Sequence, residues 1–169
     1  PLVAIVDLDG VPTAPEFVLF RQHFRASGLR CEVADPRDLD WDGQRLRLGG
    51  QAIDVVYRRM LVDDILRRPK ACEALLQAYR AGAICMVNSL RTVLLHGKAL
   101  FAVLHDADFQ ATLNARQLEL VARSVPWTAR VTPEVLDRAM EQQQELVLKP
   151  LTGHGGRGVA LGWKLDEAG

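Results

Sequence analysis

A lysine followed by a run of glycines is the part of this 169-residue sequence best equipped for chemistry. Residues 145–149 spell Glu-Leu-Val-Leu-Lys, residues 150–158 spell Pro-Leu-Thr-Gly-His-Gly-Gly-Arg-Gly, and residues 159–163 spell Val-Ala-Leu-Gly-Trp. The pattern predicts strand, glycine-rich loop, strand. Strand alternation puts Leu146 and Leu148 on one face and Val147 and Lys149 on the other. Gly153, Gly155, Gly156 and Gly158 let backbone N–H groups come close to a phosphate and form a concavity for an anion. Lys149 at the base of the loop adds a mobile point charge for phosphate oxygens. The same residues also describe an ordinary hairpin with a glycine tip and a surface lysine. The spacing is not G-x-x-x-x-G-K-[ST] and no helix start follows, so this is not a P-loop.

A second constellation lies near the start, where residues 5–11 read Ile-Val-Asp-Leu-Asp-Gly-Val. An apolar strand running into D-x-D-G-V resembles the first motif of haloacid-dehalogenase-type phosphatases, in which the first aspartate is a nucleophile and the second an acid/base. Asp7 and Asp9 would take those roles, but no paired aspartates at a strand end follow Lys98 to complete a magnesium site. The bland alternative is a strand-end turn rich in Asp and Gly. His23, His96, His105 and His154 form no H-x-x-x-H pair, which argues against a catalytic zinc. Cys31, Cys72 and Cys85 are odd in number and lack C-x-x-C spacing, so neither a disulfide framework nor a zinc site is expected. Reduced thiols in a cytoplasmic protein are the expectation.

The elements that must position these residues follow from periodicity. Leu2 to Val6 reads as a buried strand. Thr13 and Glu16 have capping-box spacing ahead of Phe17, Phe20 and Phe24, which recur as on one helix face, and Gly28 stops that helix. Arg30 to Ala34 reads as the second strand. Residues 38–50 are turn-rich, with a hairpin centred on Asp42-Gly43. Residues 53–57 form a third strand ending in Arg58-Arg59, and residues 83–87 a fourth ending in Asn88-Ser89. Between them a helix starts at Pro69. A helical stretch broken by Gly97 runs to His105. Asn114 and Gln117 form a capping box, and Thr132 with Pro133 opens another helix, with Val131 and Leu136 placed as a hydrophobic staple. Strands alternating with helices predict a parallel sheet covered on both sides. Ligands of such sheets sit beyond the carboxyl ends of the strands, which singles out Asp7, Arg58, Arg59, Asn88 and Ser89. A formal net charge of +0 gives no reason to expect broad attraction to nucleic acid or membrane. No apolar run is long enough for a transmembrane helix.

Three segments taken together resemble one family. They are residues 53–59 (Ile-Asp-Val-Val-Tyr-Arg-Arg), residues 84–104 with Asn88, Ser89 and Lys98, and residues 125–128 (Val-Pro-Trp-Thr) followed by the Lys149 strand and its glycine loop. The sequence resembles the ATP-grasp superfamily, closest to its glutathionylspermidine-synthase-like, circularly permuted members. The resemblance implies an α/β fold: a Rossmann-like pre-ATP-grasp domain with a mostly parallel sheet over residues 1–123, then the start of an ATP-grasp α+β lobe over residues 124–169. It implies that Lys98 and Lys149 reach the phosphates of ATP and that residues 153–158 are the flap over them, with His154 and Arg157 adding charge. Family chemistry is ligation: ATP phosphorylates a small carboxylate or peptide substrate, and an amine or thiol attacks the acyl phosphate. Arg58, Arg59, Asn88 and Ser89 are then candidates for substrate binding. Magnesium ligands belong to a second lobe, expected beyond Gly169, so this chain alone is not expected to turn over ATP. The competing reading is a nucleotide- or peptide-binding module without catalysis.

Overall fold

Leu2 to Val6 is apolar throughout, and β1 (Leu2–Val6) is buried at every position. The computed structural model describes residues 1–153 and 155–165 and comprises two compact units, Pro1–Thr92 and Val93–Gly169. His154 therefore lies outside the described residues.

In the first unit β1 leads through residues 7–13 into α1 (Ala14–Ala26), and Gly28 (φ 80°) turns the chain into β2 (Arg30–Ala34). A small antiparallel sheet follows, made of β3 (Leu39–Trp41), β4 (Leu46–Leu48) and β5 (Gln51–Ala52). The expected hairpin at Asp42-Gly43 is present: Oδ1 of Asp42 accepts the N–H groups of Gln44 and Arg45 at 2.9 and 2.7 Å. Next come β6 (Val55–Arg58), α2 (Val62–Arg67), α3 (Glu73–Arg80) and β7 (Cys85–Val87). The main sheet is parallel, in the order β2-β1-β6-β7.

Alternation along β1 divides the core. Val3 and Ile5 pack with Phe17 of α1, Cys31 and the partly buried Phe20, Phe24 and Tyr57. Leu2, Ala4 and Val6 join Met60, Ile65, Leu75, Ala78 and Met86 on the opposite face. Both faces are thus covered, as an all-parallel sheet requires. Burial pushes the Cys31 and Cys72 thiols up from their ordinary range, which keeps both protonated as small core residues.

Two details differ from expectation. The Thr13–Glu16 capping box does not form: Thr13 has helical backbone angles and makes no side-chain cap, while the Glu16 carboxylate reaches Nη2 of Arg59 at 2.8 Å. The helix expected from Pro69 begins at Glu73, and α2 precedes it, built on Ile65 as its buried anchor.

The second unit contains α4 (Val93–His96), α5 (Ala99–Val103), α6 (Ala107–Gln110), α7 (Ala115–Ser124), α8 (Pro133–Glu141), β8 (Val147–Leu148) and β9 (Ala160–Leu161). Here the capping box at Asn114 and Gln117 forms in both directions, each bond at 3.0 Å. Thr132 sits at the N-cap of α8 with Pro133 in the first turn, though its side chain makes no cap bond to the backbone. Val131 and Leu136 both stay largely exposed. Arg138 stacks over the Trp127 ring at 4.2 Å. Among the described residues no helix is long and apolar enough to cross a membrane.

One buried carboxylate organises the loops at the carboxyl end of the main sheet. Oδ1 of Asp35 accepts Nε and the backbone N–H of Arg37 at 2.7 and 2.9 Å, and Oδ2 accepts Nη2 of Arg37 and the N–H of Asp9 at 2.8 and 2.9 Å. These bonds, foremost those of the Arg37 guanidinium, hold its carboxyl far below the usual carboxylate range. An unfolded aspartate titrates near 3.9. Because the folded value is lower, this stabilisation is fully present above about pH 4 and is lost as pH falls through the folded value. Asp35→Asn should therefore lower stability at neutral pH by roughly 1.5–3 kcal/mol, the worth of one hydrogen bond to a charged group, because the solvent-exposed Arg37 recovers part of the loss through water. The difference between wild type and variant should shrink below about pH 4. Thermal or urea melts from pH 7 down to pH 3 check both statements.

Candidate functional site

The glycine-rich segment is a hairpin, with Val147 opposite Leu161 and Leu148 opposite Ala160. Its ladder is shorter than the spacing predicts, because Gln143–Glu145 is wound as a single 3-10 turn and Lys149 lies just past the last pair. Lys149 is exposed and, among the described residues, makes no ion pair. The loop departs from ordinary backbone geometry at Gly153 (φ 131°), Gly155 (64°), Gly156 (73°) and Gly158 (69°), a region that side-chain-bearing residues avoid. The ring of Pro150 sits under the loop, 3.3 Å from where a Cβ on Gly158 would lie and 3.8 Å from one on Gly153. Arg157 is exposed on the same loop.

Lys98 meets this loop across more than fifty residues of sequence. Its backbone N–H donates to the carbonyl of Leu151 at 3.1 Å, and its Nζ donates to the carbonyl of Gly153 at 3.1 Å. The helical stretch breaks at Gly97, just before this contact; a Cβ there would meet the Leu151 oxygen only at an ordinary 4.0 Å. An ammonium has three donors, so Lys98 retains two after binding Gly153.

The base of the hairpin depends on a residue that carried no weight in the sequence. Gly162 donates to the Leu146 carbonyl at 2.9 Å, and Nε2 of Gln143 donates to the carbonyls of Gly162 and Leu165 at 3.1 and 3.0 Å. A Cβ on Gly162 would stand 1.8 Å from the Gln143 carbonyl oxygen. A lone glycine in an apolar strand is the available signal, since such positions mark close backbone approach.

In the first unit, the residues beyond the parallel strands have distinct surroundings. Arg58 is buried; its Nε donates to the Asn88 carbonyl at 3.0 Å and its Nη1 to the Met60 carbonyl, and burial lowers its pKa. The guanidinium therefore splices the end of β6 to the end of β7. Arg59 lies 5.6–5.9 Å from the ring centres of Phe17, Phe20 and Tyr57 and pairs with Glu16, while its buried Nε has no hydrogen-bond partner among the described residues. Asn88 is exposed. Ser89 Oγ shares a 2.7 Å hydrogen bond with the Tyr79 hydroxyl and accepts the Arg91 N–H at 3.3 Å. Asp7 is buried; burial raises its pKa, against the opposing pull of the Leu8 N–H and of Arg59 and Arg58. Asp9, by contrast, is exposed and faces Arg37 at 3.6 Å. Among the described residues no three His, Cys, Asp or Glu side chains gather as a metal site.

Comparison with known proteins identifies a family. The family described as circularly permuted ATP-grasp type 2 matches residues 13–169. A candidate glutamate–cysteine ligase 2-3 of Frankia alni is 30% identical over 126 residues, covering 72% of this chain and 14% of that protein. A candidate glutamate–cysteine ligase 2-2 of Frankia casuarinae is 28% identical over 153 residues, covering 85% of this chain and 17% of that protein. The chain therefore spans less than a fifth of the length of these curated relatives. The family match does not favour the phosphatase reading of Asp7 and Asp9.

Replacing Gly162 should unseat the hairpin. Gly162→Ala is expected to destabilise the second unit by roughly 1–3 kcal/mol or more through overpacking against backbone. Gly155→Ala, where a Cβ meets nothing within 4 Å, should cost only the backbone strain of about 1–2 kcal/mol. Hydrogen exchange at the amides of Leu148 and residue 162, which face across the ladder, separates the two, because only the first variant should deprotect them.

Proposed function

Because the chain belongs to the circularly permuted ATP-grasp type 2 family, we propose that it is the nucleotide-flap portion of an ATP-dependent carboxylate–amine (or thiol) ligase that works through an acyl phosphate. One observation carries this reading: Lys98 and the glycine loop, far apart in sequence, are joined at Gly153 by a 3.1 Å hydrogen bond. A phosphate-binding flap needs a cation within reach of its backbone, and this arrangement supplies one from outside the loop and another, Lys149, at its root. In the proposal Lys98, Lys149 and Arg157 neutralise phosphate charge, and the backbone N–H groups of residues 153–158 contact the phosphate oxygens. His154 is retained as a further contributor. Positioning and charge neutralisation are most of what phosphoryl transfer asks of a protein. Magnesium would be held by residues other than those described.

The parallel sheet with helices on both faces supports a Rossmann-like leading domain, which we place over residues 1–123, with the ATP-grasp lobe beginning at residue 124. Arg59, Asn88 and Ser89 are proposed to border the substrate. Arg58 takes part by fixing the backbone of Asn88 and Met60, its Nε and Nη1 being occupied there. The relatives' names support a small carboxylate such as an amino acid as one partner in ligation.

The test uses the full-length protein. Lys149→Ala should weaken ATP by roughly ten- to hundredfold, corresponding to about 1.5–3 kcal/mol for a charge-assisted hydrogen bond, with an unchanged melting temperature. Nucleotide titration alongside a thermal melt reads both. Unaltered ATP affinity removes Lys149 from the site, and ATP binding without product formation selects the non-catalytic module instead.

A further inference from the structure

A cavity of about 530 Å³ opens at the carboxyl end of β1, lined by none of the residues proposed above to meet ATP or substrate. Its walls include Leu8, Asp9 and Val11 from the loop leaving β1, Arg37 from the turn after β2, and Asp64 and Arg68 from α2 and its end. The volume falls within the range of small-molecule sites, and the position is where open α/β sheets hold ligands.

The charges on this wall come in two signs, and each sign has capacity to spare. Asp35 occupies Nε and Nη2 of Arg37, leaving Nη1 without a hydrogen-bond partner among the described residues. Arg68 makes no ion pair among the described residues. On the acidic side, Asp9 is 80% exposed and only loosely paired with Arg37, and among the described residues the one ion-pair partner of Asp64 is the exposed Arg67 at 3.8 Å. The rim is nonetheless fixed: the buried Asp35 carboxylate ties down both the Asp9 backbone and the Arg37 guanidinium. An anion alone would face Asp9 and Asp64, and a cation alone would face Arg37 and Arg68. A molecule with a carboxylate and an ammonium a few ångströms apart satisfies both, while Leu8 and Val11 offer it an apolar wall.

The geometry points to this cavity as a subsite for an α-amino acid zwitterion, its carboxylate toward Arg68 and Arg37 and its ammonium toward Asp9 and Asp64. The assignment rests on the ligase reading for the role of the bound molecule as a substrate, and on the cavity alone for its chemistry.

Backbone amide NMR of the 169-residue chain tests it with L-alanine as probe. Propionate, which lacks the ammonium, and ethylamine, which lacks the carboxylate, are the controls. The expected result is saturable shifts at residues 8–11, 37, 64 and 68 with L-alanine, and binding weaker by about tenfold for either control, as befits loss of one charge-assisted contact. Arg68→Gln, at an exposed position, should weaken L-alanine by a similar factor without changing the melting temperature. Asp9→Asn should reduce the preference for L-alanine over propionate. Absence of saturable shifts, equal binding of propionate, or indifference to Arg68→Gln would overturn the proposal. Failure of the ligase reading is distinguishable: full-length protein that binds L-alanine at these residues but not ATP sinks that reading and leaves the subsite standing. ATP binding without L-alanine binding does the reverse.

Discussion

Burying β1 on both faces and pairing it on both edges is the constraint from which the first unit follows. Five consecutive apolar side chains leave water, and the backbone between them has no solvent to turn to, so β2 and β6 must supply its hydrogen bonds. Each face then demands a cover. The phenylalanines of α1 meet one, while α2, α3 and the β3–β4 hairpin meet the other. What remains is the strand's carboxyl end, where the chain turns polar within one residue. Asp7, Asp35 and Arg58, the buried charges among the described residues, all stand there, with the half-buried Arg59 beside them.

This edge separates charges that organise from charges that stay available. Arg58 is consumed by two backbone carbonyls, and Asp35 by four donors. Asn88, Asp9 and Arg68, which those bonds hold or border, keep their own side chains exposed. A buried ion that lost its partner would be severely destabilising, so the inner set can vary little, whereas the outer set is free to specialise. The second unit shows the same division in backbone terms. Gly162 and Gln143 clamp the hairpin root, and the loop above carries Lys149 and Arg157 outward.

Much of this was readable from residue patterns. The four parallel strands, the Asp42-Gly43 hairpin, the Asn114–Gln117 capping box and the strand–loop–strand around the glycines each rest on local chemistry that the neighbouring sequence decides. Where long-range contacts decide, spacing was silent or misleading. Glu16 has the right offset from Thr13 for a cap, yet an arginine forty-three positions away offers a charged partner and takes it. Nothing adjacent to Asp35 discloses that the Asp9 N–H donates to it from twenty-six positions away. Gly162 looked like one more small residue in a strand, since the carbonyl of Gln143 that excludes a side chain arrives from across the hairpin root.

Lys98 rests on Gly153 through a bond from a charged donor to a neutral carbonyl at the protein surface. The bond takes one of the three donors of the ammonium, and at the surface water competes for that donor. An arriving anion therefore meets a cation with two donors beyond that bond, and it need not wait for a costly rearrangement to claim them.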